Sequence, residues 1–436
     1  MSKQKLNDYI NLLQDEDLIV DLSDPLSVKH EIAAILKTFD RKKAVHFKDV
    51  KGYETDIFGN LCCNREFIAK GFEISVDQIP EKIINSFKKP VTHKIVSGGS
   101  CQEVESTNID LIRDLPILTH YQNDGGPYIT SAVLIARDPE TERLNASYHR
   151  MMVVGKDRFV ARLVEGRHLD RFYIASKELG EPLNVAAVIG GPLPFLIACS
   201  TSPGELCELD VAGGLLGEPL EMVECRTSNL IVPRFAECVL EGELLLEFER
   251  EGPFVDVTGT YDRIRDQPIL KVNMITHKED FFYHALMPAG NDHVLLMGMP
   301  KEAKIFGAVR AVSKVQNIVL SSSGSGWLAA AISIKKSHPY EPYVTAMAAV
   351  AAHSSLKRVI IVDEDIDVTD PVTVDKAVIE RAHVVDDYQV IKNIRGSSLD
   401  NSGIRVDGRV LSSAKLFIDA TIKGKKMLFE TAKFPQ

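Results

Sequence analysis

A change of residue pattern in the middle of the chain constrains its fold most strongly. From about residue 117 to residue 297, short apolar and β-branched runs alternate with Gly, Pro and Asp turns. One helix is predicted within this region, near Asp170–Leu179. Many short strands separated by turn residues are typical of a barrel or sandwich. The predicted strands are Tyr128–Ile135, Leu193–Cys199, Glu221–Cys225, Asn229–Val232, Ala236–Leu240 and Ile269–Ile275.

The regions on either side mix helical and strand patterns. Near the N-terminus, Leu6, Ile10 and Leu13 have helical spacing, and His30–Leu36 predicts an amphipathic helix before a strand at Ala44–Phe47. The last third has a β-α-β rhythm, which is typical of α/β domains. Its predicted elements are a helix at Ala303–Val315, a strand at Ile318–Leu320, a helix at Thr345–His353 and a strand at Arg358–Val362.

Chain length requires more than one domain. The chain has 436 residues, 45% of them hydrophobic, which is enough for large cores and too many for one ordinary domain. We therefore predict a mixed fold, α/β (α+β), with an N-terminal α/β domain at residues 1–105. A β-rich domain at 106–305, with the pattern of a barrel or sandwich, and a C-terminal α/β domain at 306–436 follow. The amphipathic stretch Lys423–Gln436 is a candidate contact with a partner subunit.

Composition argues against several classes of function. A net charge of −10 is unfavourable for nucleic-acid binding, which needs clustered Lys and Arg. No apolar run approaches the roughly 20 residues that span a bilayer, and the polar N-terminus does not resemble a signal peptide, so we expect no membrane role and a cytoplasmic location. The seven cysteines contain no C-x-x-C pair, which predicts reduced thiols rather than disulfides or a zinc site.

Two polar segments are candidates for the chemistry. One is Asn145–Arg150 (NASYHR), followed by Arg162 and by Arg167-His168, and the other is Glu251–Asp256 (EGPFVD). An amide oxygen and a neutral imidazole can hold a divalent ion if a carboxylate joins them, and arginines neutralise phosphates or carboxylates. The pattern predicts acid chemistry beside a phosphorylated cofactor.

Six ordered segments resemble the UbiD family of reversible decarboxylases over most of the chain. They are N-A-S-Y-H-R, R-L-V-E-G-R-H, C-E-L-D-V-A-G-G-L-L-G, E-G-P-F-V-D-V-T-G, V-D-E-D-I-D-V and R-G-S-S-L-D. The resemblance implies a split β-barrel flavin-binding domain in the centre and oligomerisation through the C-terminal domain. It implies a lyase that decarboxylates a small α,β-unsaturated or aromatic acid without net oxidation. The implied cofactors are prenylated FMN, Mn²⁺ (or Mg²⁺) and K⁺, and the implied partners are a flavin prenyltransferase and further copies of the chain, as a homodimer or higher homo-oligomer.

The resemblance also assigns cofactor residues. The metal ligands correspond to Asn145, His168 and Glu208, although Glu205 and Asp210 are near enough in sequence to be rivals. Taken singly, the three are more simply a turn cap, a core histidine and a solvated charge, but their order in the motifs favours the metal. Cys199, Ser200 and Ser202 would hold K⁺ through their carbonyls, with help from Glu208. The flavin contacts correspond to Ser147, Tyr148, His149, Arg150, Arg162, Leu163, Val164, Arg167, His168 and, more loosely, Lys415.

Arg150, Glu251 and Asp256 correspond to the catalytic trio of the family. Arg150 would orient the substrate carboxylate and hold Glu251, and Asp256 would donate the proton. Burial beside a flavin and near another carboxylate favours the protonated acid, whereas Arg150 opposes it. Five-residue spacing places the two acids on opposite faces of a regular strand, so both reach one pocket only if the chain kinks, for example at Pro253. An ordinary acidic turn is the simpler alternative.

Other polar clusters have simpler interpretations. His284 and His293 suit substrate contact better than metal binding, because segment 288–296 resembles a loop over the family's active site. The acidic run from Asp363 to Asp367 lacks the glycine and final glutamate of an EF-hand, so a strand end at a domain or subunit contact is favoured. Segment 322–326 (SSGSG) has no helix-start lysine and is predicted to be a plain loop.

The resemblance is greatest to archaeal enzymes that convert trans-anhydromevalonate 5-phosphate into isopentenyl phosphate in the mevalonate pathway of isoprenoid biosynthesis. An Asp donor occurs in this branch, while Val255 replaces a residue that is often glycine and leaves the pocket size open. Lys335-Lys336, His284 and His293 are candidate anchors for the phosphate. The alternatives are a 4-hydroxybenzoate-type decarboxylase of quinone biosynthesis, a non-catalytic flavin-binding assembly subunit and an ordinary FMN oxidoreductase.

Overall fold

A computed structural model describes residues 3–406 and 409–423. The chain divides into two compact units, Met1–Leu296 and Met297–Gln436. The mixed α/β class is confirmed, whereas the three predicted domain ranges stay predictions. None of the described helices combines the length and apolar character that crossing a bilayer requires. Of the predicted partner contact at Lys423–Gln436, residues 424–436 lie outside the described part of the chain.

The first unit contains most of the helices and strands. Its helices are α1 (Leu6–Asp15), α2 (Glu31–Phe39), α3 (Arg65–Phe72), α4 (Ile79–Lys88), α5 (Leu111–Asp114), α6 (His168–Leu179), α7 (Leu193–Cys199) and α8 (Glu208–Leu216). Its strands are β1 (Ile19–Leu22), β2 (Ala44–Phe47), β3 (Ile57–Gly59), β4 (Lys94–Ile95), β5 (Val104–Ser106), β6 (Tyr128–Ile129), β7 (Val133–Arg137), β8 (Leu144–Tyr148), β9 (Met151–Val153), β10 (Arg158–Ala161), β11 (Leu183–Ile189), β12 (Glu221–Glu224), β13 (Ile231–Pro233), β14 (Cys238–Glu251), β15 (Phe254–Val255), β16 (Tyr261–Asp262), β17 (Arg265–His277) and β18 (Tyr283–Ala285).

The centre of the first unit is a nine-stranded sheet. Its order is β6-β9-β10-β17-β14-β11-β7-β8, with β5 also paired to β17. The long antiparallel pair β14–β17 runs from Cys238 opposite His277 to Glu251 opposite Arg265. A side chain at Gly242 would collide with the Lys271 carbonyl, so this close approach of the two strands requires glycine. The sheet carries Asn145 on β8 and Glu251 at the end of β14.

Helix α6 covers one face of this sheet. Leu169, Phe172 and Tyr173 lie on one side of the helix, as residues three and four apart do, and join the buried core. That core also contains Leu134 on β7 and Val185 on β11. Packing of α6 therefore fixes the position of its first residue, His168. Three smaller sheets complete the described part of the unit, β1-β2-β3-β18, β13-β12-β4 and the two-stranded β15-β16.

The second unit is a sheet with helices on both faces. Helix α9 (Asn291–Val309) crosses the boundary between the units in sequence. The further elements are β19 (Val315–Leu320), β20 (Ala329–Ile334), α10 (Glu341–Ala352), β21 (Arg358–Asp363), α11 (Pro371–Arg381), β22 (Tyr388–Ile394), β23 (Ile404–Val406) and β24 (Arg409–Ala420). The sheet order is β19-β20-β21-β24-β22, and β20, β21 and β24 run parallel. Val359 and Ile361 pack with α10, whereas Ile360 and Val362 pack with α11.

Three sequence predictions of secondary structure were wrong. Leu193–Cys199 is helix α7 rather than a strand; every residue of it is buried, so its apolar run shows no amphipathic period. The helix predicted at Ala303–Val315 lies at Asn291–Val309, with Pro300 in its interior, and Val315 already belongs to β19. Segment 288–296 is therefore a loop only as far as Gly290.

Candidate active site

Arg150 is the centre of a buried cluster of charges. It follows β8, and its Nε and Nη2 donate to the two carboxylate oxygens of Glu251 at 2.8 and 2.9 Å. Glu251 is 0% exposed and also accepts a hydrogen bond from the Tyr128 hydroxyl at 3.2 Å. Burial disfavours the charge of Arg150, but Glu251, Asp262 and Asp256 outweigh it and raise the pKa of the guanidinium. The cluster is therefore a bidentate, charge-assisted ion pair inside the protein.

Asp256 approaches the same guanidinium from another side. Its Oδ2 lies 3.9 Å from Arg150 Nη1, and its Oδ1 accepts a hydrogen bond from the Val257 N–H at 2.6 Å. The Asp256 side chain is 24% exposed, so a small molecule can reach it. Strand β14 ends at Glu251, and Gly252 follows with a φ of +106°. The chain therefore turns between Glu251 and Asp256, which allows both side chains to approach Arg150.

Asp262 is a member of this cluster that sequence reasoning missed. Its Oδ2 accepts from Arg150 Nη2 at 3.0 Å, and Arg265 contacts both of its oxygens at 2.5 and 2.8 Å. Burial alone would raise the pKa of Asp262, but Arg265 and Arg150 lower it to about 2. The turn signal V-T-G-T between Asp256 and Tyr261 could have indicated the β15–β16 hairpin that places Asp262 opposite Phe254.

The two candidate histidines differ in their surroundings. His293, in the first turn of α9, accepts a hydrogen bond at Nδ1 from the Ala289 N–H at 3.2 Å. Burial lowers the pKa of His293, and the charges of Asp256 and Arg150 also act on it, so it lies close to the cluster. His284 is buried on β18, and burial alone lowers its pKa to about 4. Of the two, His293 is therefore the candidate for substrate contact.

The structure brings together the side chains of the three predicted metal ligands, at the strand that leads to Arg150. Asn145 lies on β8, while His168 and Glu208 are the first residues of α6 and α8. Asn145 Nδ2 is 3.2 Å from Glu208 Oε1 and 3.5 Å from His168 Nδ1. The rival carboxylates have other partners: Glu205 pairs with Arg143 at 2.5 Å, and Asp210 pairs with His93 at 2.8 Å. The structure thus groups the predicted trio.

Hydrogen bonding indicates how Asn145 can present its oxygen to a cation. His149 Nδ1 donates to the Arg162 carbonyl, so Nε2 of the neutral ring is an acceptor. The single hydroxyl hydrogen of Ser147 therefore has two acceptors, His149 Nε2 at 3.0 Å and Asn145 Oδ1 at 2.9 Å. A half-turn of the Asn145 amide would let Nδ2 donate to Ser147 and Ser147 donate to His149. The Asn145 oxygen would then face His168 and Glu208.

Glu208 supplies a second reason to place a cation there. The side chain is 3% exposed and accepts only neutral donors, including the Ala146 N–H at 3.2 Å. Burial raises the pKa of Glu208 to about 7, despite these hydrogen bonds and the charge of Arg143. An amide oxygen, an imidazole nitrogen and a carboxylate are donors that Mn²⁺ or Mg²⁺ accepts. The residues therefore fit a divalent ion.

Four of the predicted flavin residues lie at the ends of two strands of the central sheet. Ser147 and Tyr148 end β8, and Arg162 and Leu163 follow β10. Among the described residues, no carboxylate lies within ion-pair distance of Arg162, whose Nη1 donates to the Leu163 carbonyl and to Gln267. Burial and the charges of Arg265 and Arg150 lower the pKa of Arg162 to about 10. Such a guanidinium would be stabilised by an anion, which fits a flavin phosphate.

The remaining predicted residues have ordinary structural partners. Val164 and Arg167 are exposed in the segment that leads to α6. Ser200 ends α7, where its hydroxyl donates to the Ile197 carbonyl, and Ser202 lies in the loop that leads to Glu208. Lys415, on β24 of the second unit, is buried and donates to the Ser354 carbonyl at 2.6 Å. Their cofactor roles stay predictions.

The other polar groups noted in the sequence make contacts within the second unit. Lys336 donates to Thr421 Oγ1 at 2.7 Å and to the Ile422 carbonyl. Asp365 pairs with Arg381 at 2.7 Å, and Asp363 accepts from the Ile422 N–H. These contacts give Asp363 and Asp365 partners within the described part of the chain, and the interpretation of the acidic run as a domain or subunit contact stays a prediction. Residues 322–324 form a short 3₁₀ turn, in agreement with the predicted loop.

Comparison with known proteins identifies the family of the chain. Models of the N-terminal, Rift-related and C-terminal domains of 3-octaprenyl-4-hydroxybenzoate carboxy-lyase, the UbiD group, match residues 10–87, 94–291 and 294–420. The chain is 41% identical over 419 residues to anhydromevalonate phosphate decarboxylase of Methanothermobacter thermautotrophicus, covering 95% of this chain and 96% of that protein. The enzyme of the same name from Methanocaldococcus jannaschii is 39% identical and covers 99% and 100%.

Solved structures give the same result. The UbiD-class enzyme HmfF from Pelotomaculum thermopropionicum, in complex with FMN, has a TM-score of 0.94 and 35% identity, covering 99% of this chain and 97% of that one. The apo 3,4-dihydroxybenzoic acid decarboxylase AroY from Klebsiella pneumoniae also has a TM-score of 0.94, at 27% identity and the same coverage.

Proposed function

The chain belongs to the UbiD family of decarboxylases, and from that premise we propose that it converts trans-anhydromevalonate 5-phosphate into isopentenyl phosphate and carbon dioxide. The chain is a carboxy-lyase. Five curated relatives that carry the name anhydromevalonate phosphate decarboxylase, at 32–41% identity, support the choice of substrate. An isoprenoid precursor would be the product.

The observation that carries the proposal is the free edge of the Arg150 guanidinium. Glu251 and Asp262 engage its Nε and Nη2, whereas Nη1 makes no hydrogen bond to a described residue and lies 3.9 Å from Asp256. A substrate carboxylate can therefore bind Nη1 within reach of Asp256. Arg150 also stacks on Phe254, 4.6 Å from the ring centre, which limits its movement.

The residues divide the reaction as follows. Arg150 orients the carboxylate whose bond to carbon breaks, with the two electrons of that bond remaining on the substrate carbon as carbon dioxide leaves. Asp256 delivers a proton to that carbon and is protonated again from solvent, to which it is partly open. Glu251 and Asp262 keep the guanidinium in place and neutralise its charge.

We propose prenylated FMN as the cofactor, with a divalent ion, Mn²⁺ or Mg²⁺, and K⁺. Solved relatives contain FMN or prFMN, which supports a flavin. When bound, the prenylated flavin supplies the electron sink that side chains lack. Asn145, His168 and Glu208 would hold the divalent ion, Arg162 and the Ser147–Arg150 segment would bind the flavin, and the carbonyls around Ser200 and Ser202 would hold K⁺. A flavin prenyltransferase would supply the cofactor.

The substrate phosphate needs a cationic or N–H-rich anchor separate from Arg150. His293 is our candidate, because the charges of Asp256 and Arg150 act on it and its Nδ1 already accepts a hydrogen bond from the Ala289 N–H. Its Nε2 would therefore carry the hydrogen that a phosphate oxygen can accept. We further propose that the enzyme is a homo-oligomer in the cytoplasm; an evolved dimeric form of HmfF supports self-association.

A side-by-side assay tests this function. Protein co-expressed with a flavin prenyltransferase is given trans-anhydromevalonate 5-phosphate, its dephosphorylated form and 4-hydroxybenzoate, and carbon dioxide release is measured. We expect the phosphorylated acid to react far faster, since loss of a phosphate leaves its buried partners unsatisfied. Equal or faster reaction of 4-hydroxybenzoate would exclude this substrate and leave only the decarboxylase class. Mass spectrometry of the released flavin tests for prenylation in the same sample.

A further inference from the structure

A second group of metal-ligand side chains lies outside the Arg150 cluster and the Asn145–His168–Glu208 trio. His93 precedes β4, Cys207 immediately precedes α8, and Asp210 is the third residue of that helix. One ligand atom from each lies within 4.8 Å of the other two. We propose that His93, Cys207 and Asp210 form a binding site for a divalent transition-metal ion of the zinc class.

The backbone builds this site. Cys207 and Asp210 are three residues apart at a helix start, so their side chains lie on the same face. The segment before β4 packs directly on α8: the Val91 N–H donates to the Asp210 carbonyl at 3.0 Å, and the Val91 carbonyl occupies the space that a side chain at Gly213 would need. This packing brings His93 to Asp210, whose Oδ1 accepts from the His93 backbone N–H at 3.1 Å and lies 2.8 Å from Nδ1.

The donor set selects the class of ion. A thiolate, an imidazole and a carboxylate bind Zn²⁺ and similar ions, whereas Ca²⁺ and Mg²⁺ prefer oxygen ligands alone. Three protein ligands leave a fourth position for water, and the side chains of His93 and Asp210 are partly exposed, which gives an ion access. Ligand bonds of about 2.0–2.2 Å separate neighbouring nitrogen and oxygen ligands by roughly 3.3 Å. The His93–Asp210 contact must therefore open by about half an ångström to admit the ion.

The sequence did not suggest this site because its ligands come from two distant segments. The simpler alternative is that the hydrogen bonds between His93 and Asp210 only hold the segment before β4 against α8, and that Cys207 is only the residue that precedes this helix. A metal ion makes a distinct contribution, because it converts the Cys207 thiol into a thiolate that is bonded to the ion. That bond has its own spectroscopic signature, which separates the two alternatives.

Cobalt substitution of the purified, full-length protein, without flavin or substrate, tests the proposal. After removal of metals with a chelator, Co²⁺ is added and the near-ultraviolet thiolate-to-cobalt absorption is recorded; zinc should then displace it. We expect one equivalent of thiolate-bound Co²⁺ in the parent. The absorption should be lost in Cys207→Ser. In His93→Gln, which keeps the thiol, the apparent affinity for Co²⁺ should fall at least tenfold. The second variant keeps the test valid if the serine protein does not fold.

Cys199→Ser is the matched control. Burial and the nearby Glu208 carboxylate raise the pKa of the Cys199 thiol, so this thiol, too, is close to the other candidate metal site. Retention of the absorption in Cys199→Ser supports the proposal. Absence of the absorption in the parent would overturn it, as would an absorption that depends on Cys199 rather than Cys207. An absorption that His93→Gln leaves unchanged would also overturn it.

Discussion

Two buried glutamates in the first unit have opposite electrostatic surroundings. Glu251 is bound by both arms of Arg150 and by the Tyr128 hydroxyl, so its charge is balanced within the protein. Glu208 is nearly as buried but contacts an amide and a backbone N–H, and burial raises its pKa to about 7. A buried charge is stable only when it is paired, so the Arg150 cluster is complete as folded, whereas the Glu208 carboxylate has no ion-pair partner among the described residues.

Removal of the Arg150 side chain should have the largest effect on stability and turnover. Arg150→Ala leaves Glu251 buried and unpaired, which should cost about 3–5 kcal/mol of unfolding free energy and abolish turnover. Chemical denaturation and carbon dioxide release measure the two effects. Arg226→Ala is the control, because Arg226 pairs with Glu105, both side chains are more than 40% exposed, and exposed ion pairs contribute little. Similar losses in both variants would contradict the contrast between the clusters.

Neutralisation of Glu208 should have the opposite effect: it should raise the unfolding free energy of the metal-free protein. The pKa of Glu208 is raised from 4.5 to about 7 in the folded state. The carboxylate therefore costs nothing below pH 4.5, and its cost grows as the pH rises through 7, to roughly 3 kcal/mol. Chelator-treated parent should lose this much unfolding free energy between those pH values, and Glu208→Gln should not.

The same variant tests metal binding. Glu208→Gln should lose the divalent ion and most of the flavin, measured by elemental analysis and flavin absorbance, since only an amide and an imidazole remain. Glu205→Gln removes the rival carboxylate, which pairs with Arg143, and should retain both. Full metal and flavin content in Glu208→Gln would exclude Glu208 as a ligand.

Loss of the proton donor should affect chemistry without affecting cofactor binding. Asp256→Asn should reduce decarboxylation by roughly 10², the scale of a lost general acid. Flavin and metal content should match the parent, because Asp256 contacts none of the candidate metal ligands, its Oδ1 contact is to its neighbour Val257, and it makes no hydrogen bond to Arg150, from which it lies 3.9 Å away. Asp266→Asn, at an exposed position of β17, is the control. Activity within a few-fold of the parent would show that the proton comes from elsewhere.

Most residues of the two clusters were predicted from the sequence, but Asp262 was not. Asn145, Arg150, Glu251 and Asp256 lie in short continuous motifs, and the resemblance assigned them before any geometry was known. The kink between the acids was also foreseen, although Gly252 with its positive φ contributes to it as well as Pro253. Asp262 was missed because its contact with Arg150 depends on the β15–β16 hairpin rather than on a motif.

Secondary structure was predictable where a period was visible. The amphipathic helix at His30–Leu36 corresponds to α2, and the strand at Ala44–Phe47 was predicted with its observed bounds. Helix α7 was mistaken for a strand because all its residues are buried, and a short apolar run has no periodicity to distinguish the two. Helix α9 was displaced because Pro300, which usually ends a helix, lies inside it.

The smallest effect expected within the complete cluster is that of Asp262. Asp262→Asn removes one charged partner of Arg150, while Glu251 still binds Nε and Nη2, so the guanidinium should remain in place but less firmly held. We expect kcat to fall about tenfold, the size of one charge-assisted hydrogen bond, with flavin content unchanged. Asp262→Glu should restore part of the rate. A loss as large as that of Asp256→Asn would make Asp262 a second candidate for the proton donor, and an unchanged kcat would show that Glu251 alone positions Arg150.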